Sequence, residues 1–555
     1  MIAPTDTVAS FRPKLRWSLE ALVGGVLLGL AFPPSPFFTL AYVAFLPLLH
    51  VLERADTAGR ALRRSYAFVL AFHLVTVYWT GGFTVGRDGW MMAAGALLLF
   101  VHPLFYLPST MLAWLVMRRR GTWWGVGAFV ALWTAFEYVH SLGEFSFPWI
   151  TVGNSQAYDL ARAQVAEYVS VLGLTVLVLA FNGIAYVVLT RIAQGRWTAR
   201  SARLQGALGF LVLIYVLPLA WGRARMHQEE AMTGAGVRVG IVQPNIDPWE
   251  KWGTDAAARA ASDDRQLARH LDDARVLAAT APDLIVWPET AIPFYVLQPR
   301  HMAELRSVLS FVDSTRVPLL TGLPTARYFP TSSAPVTSQP IPGSDLAVES
   351  YNSVVLFTSP DHIGPVYRKM VLVPFAERIP YAQAFRFLIE PLRWNVGISS
   401  WGMGQDTVVY AMRTAAGDSA RFAALICYES VYPDFVRAFV RRGAEFLVVV
   451  TNDSWWGNTS GAYQHAAYAS LRSIETRRWL VQCANGGISL IVDPAGVVRT
   501  STALYTEARF TATIARNTEE TFYVRHGDLI GPVSLCCSLL FVMFSLIPTK
   551  RKFTT

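Results

Sequence analysis

Cysteine is scarce in this chain. Its four, Cys427, Cys483, Cys536 and Cys537, follow the spacing of neither a disulfide framework nor a zinc site, and the last two stand side by side in an apolar run. Charge is scarce too: charged residues make up 16% of the 555 and hydrophobic residues 53%, for a mean hydropathy of +0.33. Such a balance excludes an ordinary soluble protein, and the length excludes a single domain. The phosphate-cradling pattern G-x-x-x-x-G-K-(S/T) is absent, which speaks against a kinase or an ATP-dependent ligase. The net charge of +9 does not point to nucleic acid, because the arginines collect at the ends of apolar runs instead of along one polar face.

What is present in abundance is apolar sequence of membrane-spanning length. Eight runs, 18–33, 36–52, 65–84, 91–117, 123–141, 167–190, 206–222 and 529–547, each approach the roughly 20 residues a bilayer needs. Basic clusters at Arg12/Lys14/Arg16, Arg54/Arg60/Arg63/Arg64, Arg118/Arg119/Arg120, Arg191/Arg196/Arg200/Arg203 and Lys550/Arg551/Lys552 are separated by two runs each, so all can lie in the cytoplasm at once. The expected organisation is a transmembrane domain over 1–222 with seven helices, an external soluble domain over 223–527, and a final transmembrane helix with a basic tail over 528–555. Both termini are then cytoplasmic. The first run ends at "FPPSP" and has no convincing cleavage site, so it is expected to stay attached instead of acting as a signal peptide.

The soluble segment alternates strand-like runs ("VRVGIVQPN", "DLIVWPE", "VPLLTGLP", "YNSVVLFT", "FAALICYE", "EFLVVVTND", "WLVQCAN", "ISLIVD") with helical ones at 254–281, 300–313, 433–442 and 464–478. An α/β layered domain follows, in which chemistry gathers at strand ends. Glu289 ends "LIVWPE", Lys369 lies in "YRKMVLVPFAE" and Cys427 ends "AALIC". Taken singly, these read as a helix cap, a solvated lysine and a small core residue. Together they form a complete set: a thiol, a carboxylate able to take its proton, and an ammonium able to face an oxyanion.

In that order, "WPE", "K-x-x-L-V-P-F-x-E" and "C-Y-E" resemble the Glu-Lys-Cys triad of the nitrilase, or carbon–nitrogen hydrolase, superfamily, which implies an α-β-β-α sandwich. "FPW" at 147–149, Gly153, Gln156, Asn182, "VQPNIDPWEKW" ending at Trp252, "NDSWWG" at 452–457 and "QCANGGIS" at 482–489 narrow the resemblance to the apolipoprotein N-acyltransferases. His140 departs from the pattern, standing where an arginine is expected. The resemblance implies a bacterial inner-membrane enzyme with no metal or organic cofactor. It implies transfer of an acyl chain from a phospholipid, typically phosphatidylethanolamine, to the N-terminal amine of a diacylglyceryl-modified apolipoprotein. Cys427 would be the nucleophile, Glu289 the base and Lys369 the oxyanion holder. Glu377, Tyr428, Glu429, Trp252, Asn452 and Trp455 would support the site or bind substrate, Trp455 and Trp456 lining an acyl path or anchoring at the membrane surface. The segment 385–394 reads either as an interfacial lid or as ordinary packing. Glu137 and His140, at i and i+3, are expected to form a structural pair, and His50, His73 and His102 to be separate packing histidines. A membrane-tethered amidase using the same triad, and a binding protein with a decayed domain, are the other classes to weigh.

Overall fold

The computed structural model describes residues 7–82, 89–230, 236–247, 256–389 and 401–548. Trp252 lies outside these residues, as does the second half of the 385–394 segment.

Each apolar run is occupied by helix: Thr7–Gly29, Phe38–Glu53, Ala58–Thr76, Gly89–Arg120, Thr122–His140, Ala166–Ala193, Ala202–Glu230 and Ile530–Leu546. Among the described residues three helices, Gly89–Arg120, Ala166–Ala193 and Ala202–Gln228, are long and apolar enough to cross a membrane. Only 11% of the most apolar stretch of Ala202–Gln228 is buried inside the protein. Leu208, Phe210, Val212, Leu213, Val216 and Leu217 are exposed on it, a surface that water does not stabilise.

Several buried polar groups inside this helical half are satisfied by the chain itself. Glu137 accepts from Trp133 Nε1 (3.0 Å), the Val152 amide (2.9 Å) and Thr175 Oγ1 (2.8 Å), tying two helices to the turn at 148–156. It does not pair with His140 as the sequence suggested, because its carboxylate is held by these three donors and the His140 ring is turned to other partners. His140 instead stacks on Phe136 and meets His102, with the ring nitrogens 2.6 Å apart. His102 in turn lies 2.7 Å from His73, whose Nδ1 faces the Val69 carbonyl at 2.8 Å. Two of the histidines expected to be separate, His73 and His102, thus form one chain with His140, because the helix Gly89–Arg120 breaks at His102-Pro103 and lays His102 between the other two. A carbonyl only accepts, so His73 donates from Nδ1 and the remaining tautomers follow in order. Nitrogens this close share protons and leave no room for an ion.

The soluble half is a sandwich. Its first sheet contains β1 (Gly236–Gln243), β2 (Leu284–Val286), β3 (Leu319–Pro330), β4 (Gln339–Pro340), β5 (Leu346–Ser359), β6 (His362–Ile363) and β7 (Tyr367–Arg368). The second contains β8 (Val409–Arg413), β9 (Ser419–Ile426), β10 (Phe446–Thr451), β11 (Leu480–Ala484), β12 (Leu490–Val492) and β13 (Val498–Ser501). A last strand, β14 (Ala508–Ala515), returns to pair antiparallel with β1. The second sheet runs β13-β12-β11-β10-β9-β8, with β9, β10 and β11 parallel. Period-two alternation explains the layers. Val237, Val239 and Ile241 of β1 join the core between the sheets, whereas Val242, Ile285 and Leu319 face outward onto helices Ala256–Ala278 and Met302–Thr315. Cys483 on β11 reaches across the sheets, 3.3 Å from the Val242 carbonyl and 3.4 Å from that of Val286.

The helix Ser460–Thr476 is sandwiched between the second sheet and the helical half. Gln464 accepts from Trp149 Nε1 (2.7 Å) and Trp79 Nε1 (3.2 Å) and donates to the Thr76 carbonyl (2.9 Å). Glu475 accepts the Val171 amide (3.0 Å), and Arg477, just beyond the helix, binds Glu167 at 2.7 Å. Each contact satisfies a buried polar group on both sides, so the two halves meet in a fixed orientation.

Candidate active site

Glu289, Lys369 and Cys427 come from three separate strand ends and line one cavity. Glu289 follows β2 in a turn that crosses close over β3. A Cβ at Gly322 would lie 2.5 Å from the Thr290 nitrogen and 2.8 Å from the Glu289 Cα, so glycine there is what lets the turn approach. Glu289 Oε1 accepts from Asn352 Nδ2 (2.6 Å) and Lys369 Nζ (3.5 Å), and Oε2 accepts the Asn452 amide (3.0 Å). Lys369 Nζ, 1% exposed, donates to Glu377 Oε1 at 2.8 Å, while Glu377 Oε2 accepts the Val373 amide at 2.8 Å. Burial opposes the charge on Lys369, but Glu377 and Glu289 beside it outweigh burial and hold its pKa above the ordinary lysine value.

Cys427 leaves β9 with φ of 51°, a left-handed conformation that a residue with a Cβ holds only when its surroundings impose it. Burial and then the Glu289 charge push its thiol well above the usual value, against the pull of Lys369.

Glu429, fully buried two residues on, does not line this cavity. Its oxygens accept the Ile426 amide (2.8 Å), the Met370 amide (2.6 Å), the Val371 amide (3.2 Å) and Tyr367 Oη (2.7 Å). It therefore clamps the segment carrying Lys369 to the turn carrying Cys427. Burial pushes its carboxyl up to about 7 despite these donors. Tyr428 stacks on Trp149 and donates to the Ser146 carbonyl at 3.1 Å, fastening the same turn to the helical half.

The cavity holds about 270 Å³ and spans the seam between the halves. One wall is polar, with Glu289, Lys369, Glu377, Cys427 and Asn452. The other is apolar and belongs to the helical half, with Trp79, Met91, Leu98, Val101 and Phe105. Trp455 and Trp456 both line it, and Trp456 packs on Trp79 with ring centroids 4.7 Å apart. The thiol thus faces a cavity walled on one side by apolar residues of the helices.

Sequence reading missed two groups. Asn352, inside β5, orients Glu289 and carries no motif. Behind Cys427 lies a buried series: Thr451 Oγ1 donates to Asp453 Oδ1 (2.6 Å), His465 Nδ1 is 3.0 Å from the same oxygen, and His465 Nε2 is 2.8 Å from Ser430 Oγ. Asp453 sits inside the quoted "NDSWWG", but nothing in the one-dimensional spacing links it to His465 or Ser430.

Residues 24–184 match the family model described as Apolipoprotein N-acyltransferase N-terminal domain, and residues 238–522 match Carbon-nitrogen hydrolase. The chain is 34% identical to the Apolipoprotein N-acyltransferase of Chlorobaculum tepidum over 93% of each chain. It is 33% identical to that of Geobacter metallireducens over 92% of each, and 30% identical to that of Gloeobacter violaceus over 98% of this chain and 97% of the relative.

Proposed function

The chain belongs to the apolipoprotein N-acyltransferase family, and from that premise we propose that it N-acylates lipoproteins through a Glu289-Lys369-Cys427 triad working by a ping-pong mechanism. Glu289 takes the thiol proton, the thiolate attacks the ester carbonyl of a phospholipid, and the oxyanion forms beside Lys369 Nζ. Collapse breaks the ester C–O bond and releases lysophospholipid, which leaves with the proton from Glu289, and the acyl group remains on Cys427 as a thioester. The amine of the diacylglyceryl-cysteine of an apolipoprotein then attacks, Glu289 takes its proton, and the C–S bond breaks to restore the thiol. Glu377 holds the lysine in place, and the chain's own side chains handle every proton and charge.

The observation that carries this reading is the cavity itself, which joins the thiol to an apolar wall contributed by the helical half. An acyl chain bonded to Cys427 finds there the environment that water denies it. The donor is phosphatidylethanolamine in this reading. The eight helices all span the bacterial inner membrane, with both termini cytoplasmic and 223–527 on the periplasmic side, so the thiol stands near headgroup depth. A tethered amidase would use the same triad but would have to admit water to the thioester; the apolar wall favours exclusion.

The test is intact-mass analysis of the purified chain incubated with phospholipid. One acyl group should accumulate on Cys427 with a single stoichiometric burst of lysophospholipid. A diacylglyceryl peptide with a free amine should then discharge it into an amide, and a blocked peptide should not. Continuous release of free fatty acid without acceptor would favour the hydrolase.

A further inference from the structure

We propose that Asp453, His465 and Ser430 are positioning residues for Cys427, with His465 held as an imidazolium between the other two. The inference rests on the reading of Cys427 as nucleophile, and its basis is a count of protons. Ser430 Oγ donates to the Cys427 carbonyl at 2.8 Å and also lies 2.8 Å from His465 Nε2. A hydroxyl has one proton, so with that proton on the carbonyl the imidazole must donate from Nε2. His465 Nδ1 faces Asp453 Oδ1 at 3.0 Å, and a carboxylate oxygen only accepts, so Nδ1 donates as well. Two donating nitrogens make an imidazolium.

Charge balance points the same way. The Asp453 and His465 side chains are both 0% exposed, and an imidazolium at His465 sets a cation directly against the Asp453 carboxylate. Asp453 Oδ1 also accepts from Thr451 Oγ1 at 2.6 Å, at the end of β10, the strand that pairs with β9 just before Cys427. A Cβ at Gly487 would come within 2.6 Å of Asp453 Oδ2, so the backbone closes over the pair there. Among the described residues, His465 meets the Trp149 ring of the helical half, 5.7 Å away, and the Trp456 ring of the "NDSWWG" turn, 6.0 Å away. On its own helix Arg472 and Glu475 pair with each other, and beyond Thr451 stand Cys427, Glu289 and Lys369. The series therefore begins at the carbonyl of Cys427 and ends on the neighbouring strand β10, behind a residue whose φ of 51° must be imposed by its surroundings. None of Ser430, Asp453 and His465 lines the cavity. They act through Cys427 and do not touch substrate.

The test is nitrogen NMR of the full chain in detergent with ¹⁵N-labelled histidine, the His465 signals being assigned by their loss in His465→Gln. Both ring nitrogens should be protonated at neutral pH in the parent chain, and one of them should lose its proton in Asp453→Asn. The acyl-thioester burst should slow about a hundredfold in His465→Gln and in Ser430→Ala, as expected for a displaced nucleophile, with the donor KM unchanged. Ser430→Thr, which keeps the hydroxyl, should restore most of the rate. Ser430→Ala removes one oxygen and guards against loss of the fold. A neutral imidazole at His465, or an unchanged burst in both variants, overturns the proposal. The spectrum reads the network without turnover, so its failure is distinct from failure of Cys427 as nucleophile, which Cys427→Ala reports.

Discussion

Glu289→Gln replaces one oxygen by an amide nitrogen, and the hydrogen-bond count makes the consequence specific. In the parent chain three described groups facing Glu289 are donors: Asn352 Nδ2 and Lys369 Nζ on Oε1, and the Asn452 amide on Oε2. A carboxylate accepts at both oxygens, whereas a carboxamide accepts at one and donates at the other. Whichever way the substituted carboxamide is turned, its NH₂ faces a donor: the Asn452 amide in one orientation, Asn352 and the ammonium in the other. Leaving a buried donor unsatisfied costs about 1–3 kcal/mol. Loss of a general base separately slows the chemical step by about 10²–10⁴-fold. Glu289→Gln should therefore fold and elute as the parent chain does, unfold at a lower temperature, and release lysophospholipid in the burst assay at least about a hundredfold more slowly. Glu289→Asp, which keeps both acceptors but withdraws them by one methylene, should recover more stability than rate. A burst within about tenfold of the parent rate in Glu289→Gln would refute the assignment of Glu289 as base.

Lys369→Ala leaves Glu289 and Glu377 as buried carboxylates without their shared cation, so it should cost about 3–5 kcal/mol as well as activity. Adding Glu377→Gln should recover part of the stability and none of the burst, which thermal unfolding and the burst assay read separately. Glu429, whose carboxyl is raised from its ordinary 4.5 to about 7, binds its proton more tightly folded than unfolded. Its protonation thus contributes stability fully below pH 4.5, and that contribution is lost as pH rises through about 7; unfolding temperatures across this window should show the decline, and Glu429→Gln should remove it. If the basic clusters set orientation, protease added outside spheroplasts should cut within 223–527 and spare both tails. Protection of that domain would overturn the topology.

The sequence by itself determined what depends on composition and local pattern. Run length and basic clusters marked out the helical half, period-two alternation marked the strands, and the positions of Glu289, Lys369 and Cys427 at strand ends marked residues that the fold brings to one cavity, because each of these signals is written within a few tens of consecutive residues. Local pattern misled where long-range contacts decide the partner. Glu137 and His140 share a helix face, yet Glu137 is taken by Val152 and Thr175 and His140 by His102. Glu429, adjoining Cys427 in sequence and expected to support the site, does so by holding the lysine segment without facing the cavity. Three things belonged to the tertiary structure alone. The seam places the apolar wall opposite the thiol, Asn352 turns Glu289, and the helix Ser460–Thr476 brings His465 to Asp453. Each joins segments remote in sequence, and a buried polar group is satisfied by whatever the packed fold lays against it, which no spacing along the chain encodes.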